Sequence, residues 1–281
     1  MKKAILVLFF IAALSVNTHA ENFNPNGYCG HSSISFYSSW IYRESVYFTQ
    51  YDELMDNFSF TETDIQKSFA AAFNLNIPFS RRATFTGGYN IQDVHGIYLH
   101  TYHAGVIIFS TEVNQLSDLK NPDGMIKSFI ISPVLGLNAS YGKSPKTGLV
   151  AGLQLSYVAT KNFTLNSAYL LSRFESSNSH TILMGITTHV NNKVPSDHAF
   201  NPDGRPGSIS FSPNIGYVTM DGDIHGFTAG VELTVPVCTW MSTYLTFQYE
   251  QVKEDQKEYY FFRNLQKSTL LNPGLGLNIY F

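Results

Sequence analysis

Apolar and polar residues alternate along most of this chain, with the period of two that is typical of β-strands. The clearest runs cover residues 69–79, 149–157, 227–237 and 271–281. In each run apolar side chains hold most of the odd positions, and small or polar residues hold most of the even ones. A strand in a soluble sheet usually has ~5–6 residues, whereas a tilted strand that crosses a membrane needs ~9–11. The length of these runs therefore favours membrane-spanning strands.

The polar face of each run indicates what the sheet surrounds. It carries glycine, serine, threonine, asparagine and glutamine but few charges, whereas a soluble β-sandwich would carry more lysine and glutamate. In an outer-membrane barrel the apolar face meets lipid and the polar face lines the interior. Backbone groups cannot stay unpaired in hydrocarbon, so such a sheet must close. We therefore expect an all-β protein, a transmembrane antiparallel up-and-down β-barrel, with a soluble sandwich as the alternative.

The alternation predicts about 12 strands, although 10 or 14 would also fit. An even number is expected when both ends of a bacterial barrel are periplasmic. The fourth strand is the weakest prediction, because Ile97–Ser110 is apolar on both faces. The predicted strands are 31–42, 66–78, 82–92, 98–112, 126–140, 147–159, 162–174, 179–190, 207–220, 225–236, 240–252 and 268–281.

The N-terminus has the pattern of a secretory signal peptide. Lys2 and Lys3 precede an apolar stretch at 4–16, and Thr18-His19-Ala20 supplies a small-residue cleavage site. As a helix this stretch would rise about 20 Å, short of the ~30 Å hydrocarbon core, which argues against a membrane anchor. We expect a signal peptide at 1–20 and a barrel at 21–281.

Composition and net charge limit the classes of protein and the kinds of partner that fit this chain. Only 14% of the 281 residues are charged and 15% are aromatic, which excludes a disordered chain. The formal net charge of −3 makes a nucleic-acid partner unexpected. No motif for a cofactor or a metal is present, and we expect neither.

The chain resembles the broad class of bacterial outer-membrane β-barrel proteins. The resemblance rests on the signal peptide, the amphipathic strands and the alternating ending Gly274–Phe281. It implies a location in the outer membrane, among its lipid and lipopolysaccharide. It also implies assembly by the barrel-assembly machinery, which recognises a C-terminal strand that ends in phenylalanine.

Strand parity assigns the connections to two sides. Short periplasmic turns are predicted at Pro78–Arg81, Ala159–Asn162 and Val237–Thr239, and long, charged outer loops at Arg43–Ile65 and Lys253–Lys267. These outer charges suit a solvated rim; a cation or ligand capture site is the alternative.

An internal repeat is also visible. Asn121-Pro122-Asp123-Gly124 recurs as Asn201-Pro202-Asp203-Gly204, and Ser-Pro-x-x-Gly at 132–136 recurs at 212–216. The interval corresponds to four strands, which suggests three four-stranded units.

Cysteine and histidine offer weak candidates for chemistry. Cys29 and Cys238 both fall at the predicted periplasmic end, so a disulfide is possible in an oxidising compartment, although about two strands separate the turn from the barrel seam. His95, His100 and His103 are close in sequence, but positions 100 and 103 of a strand point to opposite faces, so isolated polar residues fit better than a metal site.

The functional hypothesis depends on the residues that are predicted to face the barrel interior. Glu232 is expected to be the one charge well inside a strong strand and to favour cations. The leading hypothesis is that the barrel acts as a narrow pore or transporter for small solutes or ions. The alternatives are a plugged structural or surface-binding barrel and a lipid-modifying enzyme, for which His31 and His189 show no orienting partner. The predicted pore-lining residues are Asn74, Asn76, Asn138, Gln154, Asn166, Glu232, Gln248 and Asn278.

Overall fold

The computed structural model describes residues 32–50, 59–80, 82–94, 97–110, 127–141, 146–160, 162–174, 177–191, 208–238, 241–255 and 262–280. These residues form a closed antiparallel barrel in which every strand pairs with its neighbour in sequence and β1 pairs with β12. This confirms the predicted fold class and the predicted strand number. The strands are β1 (Ser33–Gln50), β2 (Ser59–Ser80), β3 (Ala83–Val94), β4 (Ile97–Phe109), β5 (Phe129–Tyr141), β6 (Lys146–Thr160), β7 (Phe163–Phe174), β8 (Ser177–Asn191), β9 (Ser208–Met220), β10 (Ile224–Cys238), β11 (Met241–Glu254) and β12 (Phe262–Tyr280).

The strands are staggered around the barrel. Following the paired residues from Asp64 of β2 through β1, β12 and the other strands leads back to Asn76 of the same β2 strand. Such a stagger tilts the strands against the barrel axis, as closure requires. We call the end that holds Ser33 and Tyr280 the terminal end, and the opposite end the distal end.

The two faces of the barrel have the reverse polarity of a soluble protein. Large apolar side chains are exposed on the outer face, where Trp40 and Leu135 are each 70% exposed. Serine, threonine, asparagine and glutamine dominate the buried residues on the inner face. No helix in the described part of the chain is long and apolar enough to cross a membrane. The exposed apolar side chains make the outer face an apolar band, which suits contact with lipid and would be unfavourable in water.

The connections at the three predicted turns are short, as expected, but the strands continue further than predicted: β2 ends at Ser80, β6 at Thr160 and β10 at Cys238. The prediction of a long loop at Arg43–Ile65 is wrong at both ends. The β1–β2 pairing continues to Gln50 opposite Ser59, so these strands form a hairpin that extends past the shorter β3–β4 hairpin. Charges in 43–65 hid an alternation that continues, because Arg43 is buried inside while Glu44 is exposed outside.

The last predicted loop, Lys253–Lys267, is also shortened. Strand β11 continues to Glu254 and β12 already begins at Phe262. A register shift opposite Val46 and Tyr47 accommodates one extra residue of β12 at this end. Such a bulge restores the inward direction of the apolar Leu265.

The repeat corresponds to repeated strand pairing. His103 of β4 pairs with Gly136 of β5. The residues 80 positions later, Leu183 of β8 and Gly216 of β9, pair in the same way. The β3–β4 and β7–β8 hairpins also repeat one side-chain contact: the Tyr89 hydroxyl lies 2.6 Å from His100 Nδ1, and the Tyr169 hydroxyl 2.7 Å from His180 Nδ1. The Asn-Pro-Asp-Gly segments lie outside the described residues. These correspondences support four-stranded units.

A proline lies at each boundary between these units. Pro133 is on β5, Pro213 on β9 and Pro273 on β12. The pairing of β4 with β5, β8 with β9 and β1 with β12 has the same register on both sides of each proline but skips the positions around it. Proline has no N–H to donate to a ladder, which accounts for the gaps.

Two tyrosines brace the strands that close the barrel. The Tyr37 hydroxyl of β1 reaches over β12 to within 2.9 Å of Thr246 Oγ1 on β11, and the Tyr244 hydroxyl of β11 donates to the Phe36 carbonyl of β1 at 3.3 Å. The two rings are parallel, with centroids 6.0 Å apart. They cross β12 over Gly274 and Gly276, where an added Cβ would meet ring atoms of Tyr37 and Tyr244. Glycine is required here because the rings occupy the space of a side chain.

Candidate functional site on the inner face of the barrel

The eight predicted pore-lining residues all occupy inward-facing positions of their strands. Asn74 and Gln154 are half-buried, and the other six are buried. The inward direction follows from the strand alternation, since the neighbours of each residue along its strand include outward-facing apolar side chains. The structure thus places these eight residues together on one inner surface.

Asparagines on this surface bond to serine and threonine that lie one or two strands away. Asn138 accepts from Thr101 at 2.7 Å and donates to Ser172 at 3.2 Å. Asn278 accepts from Ser35 at 2.6 Å and donates to Ser242 at 3.2 Å. These side chains run along the wall, where they satisfy one another. Buried polar groups are stable only when they are hydrogen-bonded in this way.

Glycines allow larger inner side chains to lie flat against the wall. An added Cβ on Gly88 would meet the His103 imidazole, one on Gly148 would meet the Phe174 ring, and one on Gly216 would meet Leu183. The large side chains therefore cover the neighbouring glycine instead of pointing straight at the barrel axis. The 12 strands place the barrel between filled 8-stranded barrels and open 16-stranded ones.

Among the described residues, three charged side chains are buried on the inner face. Glu232 is 2% exposed and accepts a hydrogen bond from Thr234 Oγ1 at 2.9 Å. Arg43 and Glu250 are each 1% exposed. The expectation that Glu232 is the one charge well inside a strong strand is therefore wrong. Glu250 lies two positions beyond Gln248 on the same face of β11, so its parity alone would have revealed it.

We call Arg43, Gln66, Glu250 and Asn272 the Arg43 cluster. Arg43 on β1 pairs with Gln66 on β2 and, on its other side, with Leu270 on β12. Leu270 pairs in turn with Glu250 on β11, and Asn272 is the next inward position of β12. With neighbouring strands ~4.8 Å apart, the four residues occupy one patch of the wall. Arg43 attracts the Glu250 carboxyl electrostatically without hydrogen bonding to it.

An apolar collar lies on the distal side of this cluster. Its buried side chains are in mutual contact and come from seven of the strands, near their distal ends. Sequence reasoning missed it because apolar residues stand there on the face expected to be polar. The collar residues are Tyr47, Leu99, Phe174, Val218, Met220, Ile224, Val252 and Leu265.

A groove with a volume of about 820 Å³ lies on the outer face, across β5–β9. Leu155, Leu165, Met184 and Ile215 line it, and Ser167 lies between them. These are outward-facing positions of the apolar band, so the groove faces the membrane and is separate from the inner surface.

The two described members of the predicted histidine group, His100 and His103, point to opposite faces of β4. His100 points outward, where it contacts Tyr89 and lies edge-on to Tyr141, whereas His103 points inward over Gly88. Among the described residues no group of three or more metal-ligating side chains occurs. His95 and His31 lie outside those residues, and His189 is buried on the inner face of β8.

The structure describes one of the two cysteines of the predicted disulfide. Cys238 ends β10 at the terminal end of the barrel, and Cys29 lies outside the described residues. Their pairing stays a prediction.

Comparison with solved structures identifies the architecture. The barrel is similar to the COG4313 outer membrane channel from Pseudomonas putida F1, with a TM-score of 0.53 and 10% identity over 92% of this chain and 98% of that one. It also matches the NanC porin (TM-score 0.44, 12% identity, 85% of this chain and 98% of that one). The translocator domain of the autotransporter NalP from Neisseria meningitidis matches as well (TM-score 0.44, 10% identity, 99% of this chain and 98% of that one).

No protein-family model matches the chain, and no curated protein matches it. The first of the structural similarities shows the fold, and together with the apolar outer band it defines the class. The protein is a bacterial outer-membrane β-barrel protein, located in the outer membrane.

Proposed function

We propose that this protein is a narrow pore that lets small polar solutes or ions cross the outer membrane by passive permeation. The observation that carries the proposal is the reversed polarity of a closed barrel, with apolar residues outside and hydroxyl, amide and a few charged groups inside. A wall of this kind offers hydrogen bonds to a solute that has left bulk water. No cofactor is needed for such a process.

The inner surface supports a narrow conduit. Most of its polar side chains are buried, including Asn138, Thr181 and Thr228, so little room surrounds them. A solute crossing the barrel would pass the apolar collar and the Arg43 cluster in succession. A small single-channel conductance is therefore expected, well below that of a wide water-filled porin.

Charge on the inner wall supports a preference for cations. Glu232 and Glu250 contribute two carboxyl groups, against the single guanidinium of Arg43 among the buried described residues. Rings or patches of acidic side chains favour cations in membrane pores.

Planar-bilayer recording of the purified mature protein tests the proposal. Steady, cation-selective currents of small amplitude are expected. Persistent silence from correctly folded protein would contradict the pore and favour a plugged structural or surface-binding barrel. Release of acyl chains from phospholipid or lipopolysaccharide by silent protein would instead favour a lipid-modifying enzyme.

We also propose which parts of the barrel contact the barrel-assembly machinery and lipopolysaccharide. The alternating strand Gly274–Phe281 is proposed as the segment that the barrel-assembly machinery recognises. The outer face is proposed to contact lipopolysaccharide at the distal end, where aromatic and histidine side chains such as Tyr89, His100, Tyr102 and Tyr141 form contacts on the exterior. Aromatic girdles are common at such membrane interfaces.

A further inference from the structure

Three members of the Arg43 cluster, Gln66, Glu250 and Asn272, have buried polar atoms that no described residue hydrogen-bonds. Both carboxyl oxygens of Glu250, both amide atoms of Asn272 and Oε1 of Gln66 make no hydrogen bond with any described residue. All three side chains are more than nine-tenths buried. Buried polar atoms are nearly always hydrogen-bonded, and leaving a buried carboxylate unpaired is especially costly.

The register brings these atoms to one patch of the inner wall. Gln66, Arg43, Leu270 and Glu250 are successive cross-strand neighbours on β2, β1, β12 and β11, and Asn272 follows Leu270 on the same face. Ile41 and Leu270 pack together beside them in a small apolar cluster. The patch therefore has polar atoms that lack partners and an apolar floor.

The chemistry of the patch favours a cation that donates hydrogen bonds. Gln66, Glu250 and Asn272 together have five buried atoms without a hydrogen bond to a described residue, and four of the five are oxygens that accept: two from Glu250, one from Gln66 and one from Asn272. A primary ammonium offers three N–H donors and a guanidinium offers five in a plane, so either group can hydrogen-bond to several of these oxygens at once. The electrostatic influence of Arg43 on Glu250 does not provide those donors, since it acts without a hydrogen bond to that carboxyl.

We propose that the Arg43 cluster is a selectivity site for small organic cations that carry a primary ammonium or guanidinium group. Glu250 binds the charge, and the Gln66 and Asn272 oxygens accept the remaining N–H bonds. Charge-assisted hydrogen bonds of this kind are stronger than neutral ones. The inference depends on the proposed pore, because it names the class of solute that the conduit binds.

Bilayer recordings of the mature protein in potassium chloride test the site with three probes. Guanidinium and methylammonium are expected to reduce the potassium current at low concentration, because they dwell at the cluster. Tetramethylammonium has the same charge but no N–H group, and should be at least about tenfold less effective, a difference of ~1.4 kcal/mol.

Substitutions assign the effect to the cluster. Glu250→Gln removes the charge at constant shape and should weaken the block by guanidinium about tenfold or more. Glu44→Gln is the matched control, because Glu44 follows Arg43 on β1 but is exposed on the outer face; its block should equal that of the unmodified protein. Asn272→Leu, which leaves the carboxyl in place, should weaken the block to a smaller extent and serves if Glu250→Gln does not fold.

The outcomes separate the inference from the pore. Conductance that the three probes reduce equally, or a guanidinium block that survives both Glu250→Gln and Asn272→Leu, would overturn the selectivity site and leave the pore proposal intact. Folded protein without conductance would overturn the pore, and the inference with it.

Discussion

Tyr37 and Tyr244, which contact each other's strands across β12, form a tyrosine brace. We expect that a single methyl group added to β12 beneath this brace strongly destabilises the barrel. In Gly276→Ala the new Cβ would overlap the ring of Tyr244, which crosses β12 at this point. The ring would have to move and give up both its parallel contact with Tyr37 and its hydrogen bond to the Phe36 carbonyl. We expect Gly276→Ala to lower the free energy of unfolding.

The magnitude follows from those contacts. Overpacking by a methyl group costs ~1–3 kcal/mol, an aromatic pair contributes ~0.5–1.5 kcal/mol and a hydrogen bond ~0.5–1.5 kcal/mol. Because the ring can relieve the overlap only by giving up the other contacts, the costs are partly alternatives, and we expect about 2–4 kcal/mol. Gly152→Ala is the matched control. The nearest atom to its added Cβ is the flexible Leu170 Cδ1 at 3.2 Å, so its cost should stay below about 1 kcal/mol.

Reversible unfolding in urea, in lipid vesicles or detergent and followed by tryptophan fluorescence, measures both variants. The double variant Gly276→Ala/Tyr244→Ala adds a mutant cycle: with the ring absent, the alanine should cost much less than in its presence. Equal losses for Gly276→Ala and Gly152→Ala, or full additivity in the double variant, would refute the brace.

Three further predictions concern the charge, the lipid face and assembly. Glu232→Gln should lower the preference for cations, which reversal potentials in a salt gradient measure; unchanged potentials would contradict the role of this carboxyl. Leu135→Arg places a charge in the apolar band and should destabilise the barrel by ~2–4 kcal/mol if it lies near the bilayer midplane, whereas Leu135→Ala should cost less; equal urea midpoints would argue against burial in lipid. Deletion of Phe281 should slow assembly in cells, seen as less heat-modifiable barrel on gels, and normal levels would reject the terminal phenylalanine as a signal.

Much of the fold was predictable because the alternation is a local property. Residues such as Leu149 and Leu153 show their direction through their immediate neighbours, and twelve such segments define the barrel. The ends of β1 and β2 were missed because charged residues conceal the same alternation. Inside a barrel, a charge such as Arg43 can occupy an inward position that a soluble strand would rarely allow.

The site was harder to predict because its contacts join distant parts of the chain. Glu250 is two residues beyond Gln248, so its inward direction was available from parity. Its proximity to Arg43 depends on the pairing of β11 with β12 and of β12 with β1, which the sequence does not specify. The collar was hidden for another reason: Leu99 and Phe174 are apolar residues on a face that is polar elsewhere.

The central claim is that odd and even positions of one strand face lipid and the barrel interior, respectively. Nitroxide labels placed singly at each position from 149 to 157 of β6, in the protein reconstituted into bilayers, test it most directly. We expect collision rates with oxygen that alternate with a period of two, with maxima at Leu149, Leu153 and Leu155 and minima at Gly152, Gln154 and Ser156. Uniform rates, or maxima at the even positions, would contradict it.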